Sequence, residues 1–219
     1  MTSVLRVKPW GASAVSSASL EGGGRDDVRL VEGLRGDEPW ARAALVDRYG
    51  VFVRRVLVRV LGAADPELED LAQDAMIAVL QGIGKLGHAE AFRGWLTSIV
   101  VFTARGAIRR RQRWRWLKSG SDPAEAPAPS ASPEVQDAAA CVYRILEDMP
   151  ADERIPFTLR MFEGYELTEL AGICGLSVAT LRRRLAAAQK RFDKKAQDAE
   201  ALKPWLNGSS DGNFSREEP

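Results

Sequence analysis

Residues 166–193 read ELTELAGICGLSVATLRRRLAAAQKRFD. Leu167, Leu170, Ala171 and Ile173 recur at helical spacing and stop at Gly175, and Ser177 then supplies an N-cap for a second helix. On that second helix Val178, Leu181, Leu185, Ala188 and Phe192 fall on one stripe at about 100° per residue, so the stripe packs inward. Two short helices joined by a Gly-containing turn read as a helix-turn-helix. The opposite face of the second helix carries Ala179, Arg183, Ala186 and Lys190, flanked by Thr180, Arg182 and Arg184. Small side chains let a helix approach a groove closely, and Arg takes guanine bidentately or grips phosphate, so duplex DNA is the expected ligand. A solvated Arg-rich face in an ordinary bundle is the plain alternative; it leaves the Gly, the cap and the charge as coincidences.

The charge distribution along the chain supports the polyanion. The formal net charge is only +1. Yet residues 177–195 hold seven basic residues against one acid, directly after 138–176 with three against seven. A second basic run, Arg105 to Lys118, has seven basic residues and no acid, interleaved with Trp114 and Trp116. Basic groups release counterions from a phosphate backbone, and indoles offer stacking surfaces to unpaired bases. A solvated helix end, or a Trp pair capping the core, are the competing readings of that run.

Composition removes most other classes. One His (His88) and two Cys (Cys141 and Cys174) cannot furnish a four-ligand zinc site or a disulfide framework. His88 lies among glycines with no neighbouring nucleophile, so no catalytic residue, metal or cofactor is expected and the chain is not read as an enzyme. The charge-free apolar stretch Gly94 to Ala104 has 11 residues, whereas a bilayer span needs about 20, so no membrane insertion is expected. With no continuous apolar run near the N-terminus, a cytoplasmic setting is expected.

Upstream of residue 119 the apolar spacing is helical almost throughout. Asp37 reads as an N-cap ahead of Leu45, Tyr49, Phe52, Val56 and Val60, which Gly62 ends. Asp65 reads as the cap of a second helix with Leu68, Leu71, Ala72, Ala75 and Val79 inward. A third helix from about Glu90 turns Phe92, Trp95, Leu96, Ile99 and Phe102 or Thr103 inward and runs into the basic segment. The second helix carries Glu67, Glu69, Asp70 and Asp74 with no base from Pro66 to Gln81. Acids in a first turn complement the helix dipole, but Asp74 lies too deep for that; an acidic face that also bears Gln73 suits a protein partner as well as it suits solvent. Residues 119–137, SGSDPAEAPAPSASPEVQD, hold four Pro, four Ser and four Ala and no aromatic, and read as a linker. Extended, it reaches at most about 60 Å, so the flanking parts can sit far apart on a partner. The fold class expected is all-α: an extension over 1–24, a helical domain over 25–118, the linker 119–137, a helix-turn-helix domain over 138–203 and a tail from 204 to 219.

Taken together, Asp70-Leu71-Ala72-Gln73-Asp74, Phe92-Arg93-Gly94-Trp95-Leu96, the Arg-rich helix end, the Pro/Ala linker, Leu146-Glu147-Asp148-Met149-Pro150 and Leu167-Thr168-Glu169-Leu170-Ala171 resemble a two-domain bacterial sigma factor of the extracytoplasmic-function group, over roughly 25–200. The resemblance implies a transcription initiation factor that binds core RNA polymerase and takes it to promoter DNA. It implies that Asp70, Gln73 and Asp74, with Glu69 beside them, dock on the polymerase. The Gly82 to Glu90 loop with Lys85, and the helix end with Arg105, Arg109, Arg110, Arg113 and Trp114, would capture and melt the minus-10 element. Ser177, Ala179, Thr180, Arg182, Arg183, Arg184 and Lys190 would read the minus-35 element, and an anti-sigma factor is a further expected partner. At Phe102 and Gly106 the chain departs from the polar residue and Asp frequent in that family. The alternative from a different class is a helix-turn-helix regulator that binds promoter DNA without polymerase.

Overall fold

The computed structural model describes residues 23–62, 65–117 and 132–204, and among these every regular element is helical. The extension up to residue 22, the segment 118–131 and the tail from 205 lie outside the described residues. Helix α1 (Gly23–Arg35) precedes α2 (Pro39–Leu61), α3 (Leu68–Gly82) and the long α4 (Phe92–Leu117). After the gap come α5 (Pro133–Glu147), α6 (Ala151–Thr158, prolonged by a wider turn over Leu159–Glu163), α7 (Leu167–Cys174) and α8 (Val178–Gln197).

The α2 stripe is buried as its spacing requires: Leu45, Val56 and Val60 are wholly covered, and Tyr49 and Phe52 nearly so. Helix α1 closes over it through a polar contact inside the core. The Tyr49 hydroxyl donates to Asp27 Oδ1 at 2.6 Å, and Arg48 pairs with the same carboxylate at 3.3 Å. Burial, followed by the hydrogen bond to Asp27, pushes the Tyr49 hydroxyl well above its ordinary value. At Gly33 a Cβ would lie 2.5 Å from the Trp40 ring, so the α1–α2 approach depends on the missing side chain.

Three local expectations are corrected. Asp37 is not the cap of α2: it adopts φ 58° in the turn after α1, and Glu38 occupies the cap position ahead of Pro39. Helix α3 starts at Leu68, two residues later than expected, so Glu67 holds the cap position and Asp65 caps only the turn before it, its Oδ1 accepting from the Glu67 N–H at 3.0 Å. On α4 Phe92 and Leu96 are wholly buried and Trp95 and Ile99 pack against the core as expected, but beyond them the inward side is Val100, Val101, Ala104, Ala107 and Ile108, with Thr103 half-buried and Phe102 74% exposed. The stripe is rotated because the helix is covered both by α2 and α3 and by the second half of the chain.

That covering is the main tertiary feature. Helix α4 packs on α6 and α7, and α2 packs on α6. Ala151, Ile155, Leu159, Leu170, Ala171, Cys174 and Leu181 belong to the same apolar core as α1–α4. A second cluster, around Leu146, Met149, Phe157, Ala188 and Phe192, joins α5, α6 and α8. Helix α5 begins at Pro133, inside the stretch read as linker, because Pro is tolerated at a first helical position.

Candidate nucleic-acid interface

The helix-turn-helix forms from local chemistry. Gly175 takes φ 65°, and the Gly175 and Leu176 N–H groups donate to the Gly172 and Ala171 carbonyls at 3.1 and 2.9 Å, which closes α7 in a Schellman turn. Ser177 Oγ then accepts from the Thr180 N–H at 3.2 Å and caps α8. Leu181, Ala188 and Phe192 are buried. Ala179, Arg182, Arg183 and Lys190 are exposed, and Thr180 is half-buried against its own cap. Arg184 lies about 60° from Leu181 around the axis, so it faces the rest of the protein and approaches Asp152 at 3.7 Å. Of the seven residues expected to face minus-35 DNA, Ser177 is thus also a helix cap and Arg184 has an internal acid.

The basic end of α4 divides in the same way. Arg111 lies on the side of Val100 and Ala104 and turns inward, where its guanidinium hydrogen-bonds both Asp65 oxygens and Glu67. Asp65 is 1% exposed there. The hydrogen bond from Arg111, reinforced by Arg110, holds the Glu67 carboxyl below the usual range. Arg110 shares Glu67 at 2.8 Å. Arg105 and Arg109 approach Asp152 at 3.5 and 3.0 Å. Arg113 is exposed on the outer side, in phase with Phe102, and Trp114 and Lys85, the latter in the turn after α3, are also exposed. Nothing covers the space at Gly84, Gly87 or Gly106, where a Cβ would meet no atom within 4 Å. The outer side of α4 from Phe102 to Arg113 is therefore an open, basic, aromatic-bearing surface.

Helix α3 presents Asp70, Gln73 and Asp74 to solvent, and Glu69 pairs with Arg54 of α2 at 2.7 Å. The sequence reading missed two neighbours on this face. Ile77 and Leu80 are 42% and 37% exposed, although both are large and apolar. Ile77 follows Asp70 by seven residues and Gln73 by four, so the same helical periodicity could have found it. Acids beside uncovered apolar side chains form a surface suited to a protein partner.

With this geometry the comparisons with known proteins agree. The model described as sigma-70 region 2 matches residues 45–114, and that described as sigma-70 region 4 matches residues 139–192, together more than half of the chain. The chain belongs to the sigma-70 family. This sigma factor is 29% identical over 183 residues to the ECF RNA polymerase sigma-E factor of Escherichia coli K12, covering 78% of this chain and 94% of that one. It is 26% identical over 182 residues to the RNA polymerase sigma-H factor of Pseudomonas aeruginosa, with the same shares covered. Its fold is similar to CnrH in complex with the cytosolic domain of CnrY, with TM-score 0.56 and 22% identity over 80% of this chain and 98% of that one. It is also similar to the sigma factor RpoE in complex with the anti-sigma factor NepR from Bartonella quintana, with TM-score 0.54 and 22% identity over 71% and 96% of the two chains. The factor is a transcription initiation factor of the extracytoplasmic-function type, working with core RNA polymerase on promoter DNA. No helix among the described residues is long and apolar enough to cross a membrane.

Proposed function

We propose a division of labour along the chain. Residues 25–118 dock the polymerase and open the minus-10 element, 138–203 read the minus-35 element, and 119–137 tether the two. In the first half Asp70, Gln73 and Asp74 bind core enzyme, with Glu69, Ile77 and Leu80 at the margin of that contact. Lys85, Arg105, Arg109, Arg110, Arg113 and Trp114 follow the opened strand. In the second half α8 enters the major groove with Ala179, Thr180, Arg182 and Arg183 at base edges, and Ser177, Arg184 and Lys190 toward phosphate. The factor adds no catalytic group, because the chemistry of RNA synthesis belongs to the polymerase, and it acts in the cytoplasm where that enzyme works. An anti-sigma factor completes its partners, as the complexes of CnrH and of the Bartonella quintana RpoE suggest.

The single observation that carries this reading is that one chain exposes both an acid-and-apolar face on α3 and a basic outer face on α8. A free-standing regulator needs only the second. The test is promoter binding and run-off transcription with and without core enzyme. Core-dependent promoter recognition is expected; sequence-specific binding by the chain alone, unchanged by added core, would return the protein to the regulator class.

A further inference from the structure

The loop that joins α3 to α4, residues 82–90, rests on α1. It carries a short turn over Ile83–Lys85 and enters another over Ala89–Ala91, and α1 packs against both turns. The large apolar side chains of the loop, Ile83 and Leu86, are buried in one cluster with Leu30, Val31 and Leu34 of α1. At the last residue of α1 the Arg35 guanidinium donates to the Leu86 carbonyl, 51 residues along the chain. Helix α1 is itself fixed to α2, through the Tyr49–Asp27 hydrogen bond and the close approach at Gly33. Lys85, Gly87 and His88 of the loop are exposed.

The hydrogen bond from Arg35 fixes more than one atom. A peptide unit is planar and trans, so the Leu86 carbonyl and the Gly87 N–H point in opposite directions. With the carbonyl held on Arg35, the Gly87 N–H faces away from that guanidinium, and it meets no acceptor among the described residues. The Leu86 N–H is held as well, donating to the Ile83 carbonyl at 3.2 Å. Burial of Ile83 and Leu86 determines where the loop lies, and Arg35 determines which way this peptide faces. Without that hold Gly87, where even a Cβ would meet no atom within 4 Å, has the backbone freedom to turn its N–H elsewhere.

We propose that α1 is a strut for this loop and that Arg35 is a positioning residue for promoter opening, aiming the Gly87 N–H at an acceptor on an unpaired base of the opened strand. The inference rests on the reading that the loop takes the minus-10 element. Extruding a base from the stack is unfavourable, and a loop that had to be ordered in the same step would add its own entropy to the cost. With the peptide already aimed, that ordering is complete before the strand arrives. The contact with DNA is made by the loop backbone, while Arg35 stays on the far side of the peptide and touches no nucleotide.

The test is binding of the full chain, assembled with core enzyme, to two probes cut from a promoter it transcribes: a fluorescent single strand carrying the minus-10 element, and a duplex carrying only the minus-35 element. Arg35→Ala should weaken single-strand binding by about tenfold, the worth of one hydrogen bond from a charged donor. Arg35→Lys keeps a cationic donor and should restore part of that loss. Helix content, affinity for core enzyme and binding of the minus-35 duplex should stay at wild-type values, because Arg35 lies outside the apolar core and Ile83 and Leu86 keep their burial. Wild-type single-strand affinity for Arg35→Ala overturns the proposal. So does an equal loss of core affinity, which would make Arg35 a support of the fold alone. The double variant Lys85→Ala with His88→Ala, made in the loop itself, separates the two levels. If it weakens single-strand binding while Arg35→Ala does not, the strut falls and the loop reading stands; if neither variant weakens it, the loop does not take the strand and both fall.

Discussion

Replacing Arg111 by Ala should destabilise the factor far more than the same change at Arg113, two residues along the same basic run. The Arg111 guanidinium bridges Asp65 and Glu67, and Asp65 is 1% exposed. Without Arg111 that carboxylate keeps the Glu67 N–H at 3.0 Å but has lost its counter-charge. Removing one partner of a buried ion pair costs about 3–5 kcal/mol. Because the Arg111 side chain is 31% exposed and the Glu67 N–H remains, the lower figure, about 3 kcal/mol, is expected. With a urea slope of about 2 kcal/mol/M, that moves the unfolding midpoint down by about 1.5 M. Arg113→Ala, at an exposed position, should change stability by no more than about 0.5 kcal/mol. Adding Asp65→Asn to Arg111→Ala should recover part of the loss, since the orphaned charge is then gone. The assay is urea unfolding of the full chain followed by circular dichroism for the two single variants and the double. A midpoint for Arg111→Ala within about 0.3 M of wild type would refute the structural role given to this arginine.

The same cluster predicts a pH dependence. Glu67 is held below the usual carboxyl range by its hydrogen bond to Arg111, so its contribution is complete above the unfolded value of about 4.3 and is lost as pH falls through the lower folded value; Glu67→Gln should flatten that part of an acid unfolding curve. Asp70→Lys with Asp74→Lys should abolish measurable core binding in a pull-down titration while helix content stays at the wild-type level, since exposed charges add little to folding. Arg183→Ala should weaken promoter-dependent transcription by about 1–3 kcal/mol and relax sequence preference, whereas Lys190→Ala should weaken binding evenly across sequences and lower the salt slope by about one; wild-type behaviour of both would remove α8 from the DNA.

Features built within one or two helical turns were legible in the sequence. The Gly175 turn, the Ser177 cap and the Leu181–Phe192 stripe need only neighbouring residues, and backbone sterics with amphipathic spacing determine them wherever the segment lies. The all-α class follows from the same spacing. The rotation of α4 was not legible, because Phe102 and Val100 are both apolar and only the elements covering the helix select Val100 for burial. Nor could composition sort the basic run. Arg111, Arg109 and Arg113 are the same residue type within five positions, yet one completes a buried acid pair, one meets Asp152 from 43 residues away and one faces solvent. The sequence by itself therefore determined which helices form and where charge concentrates. Only the tertiary structure decided which of those charges are already satisfied within the protein, because an ion pair between distant residues depends on how the helices pack and leaves no periodic trace in the chain.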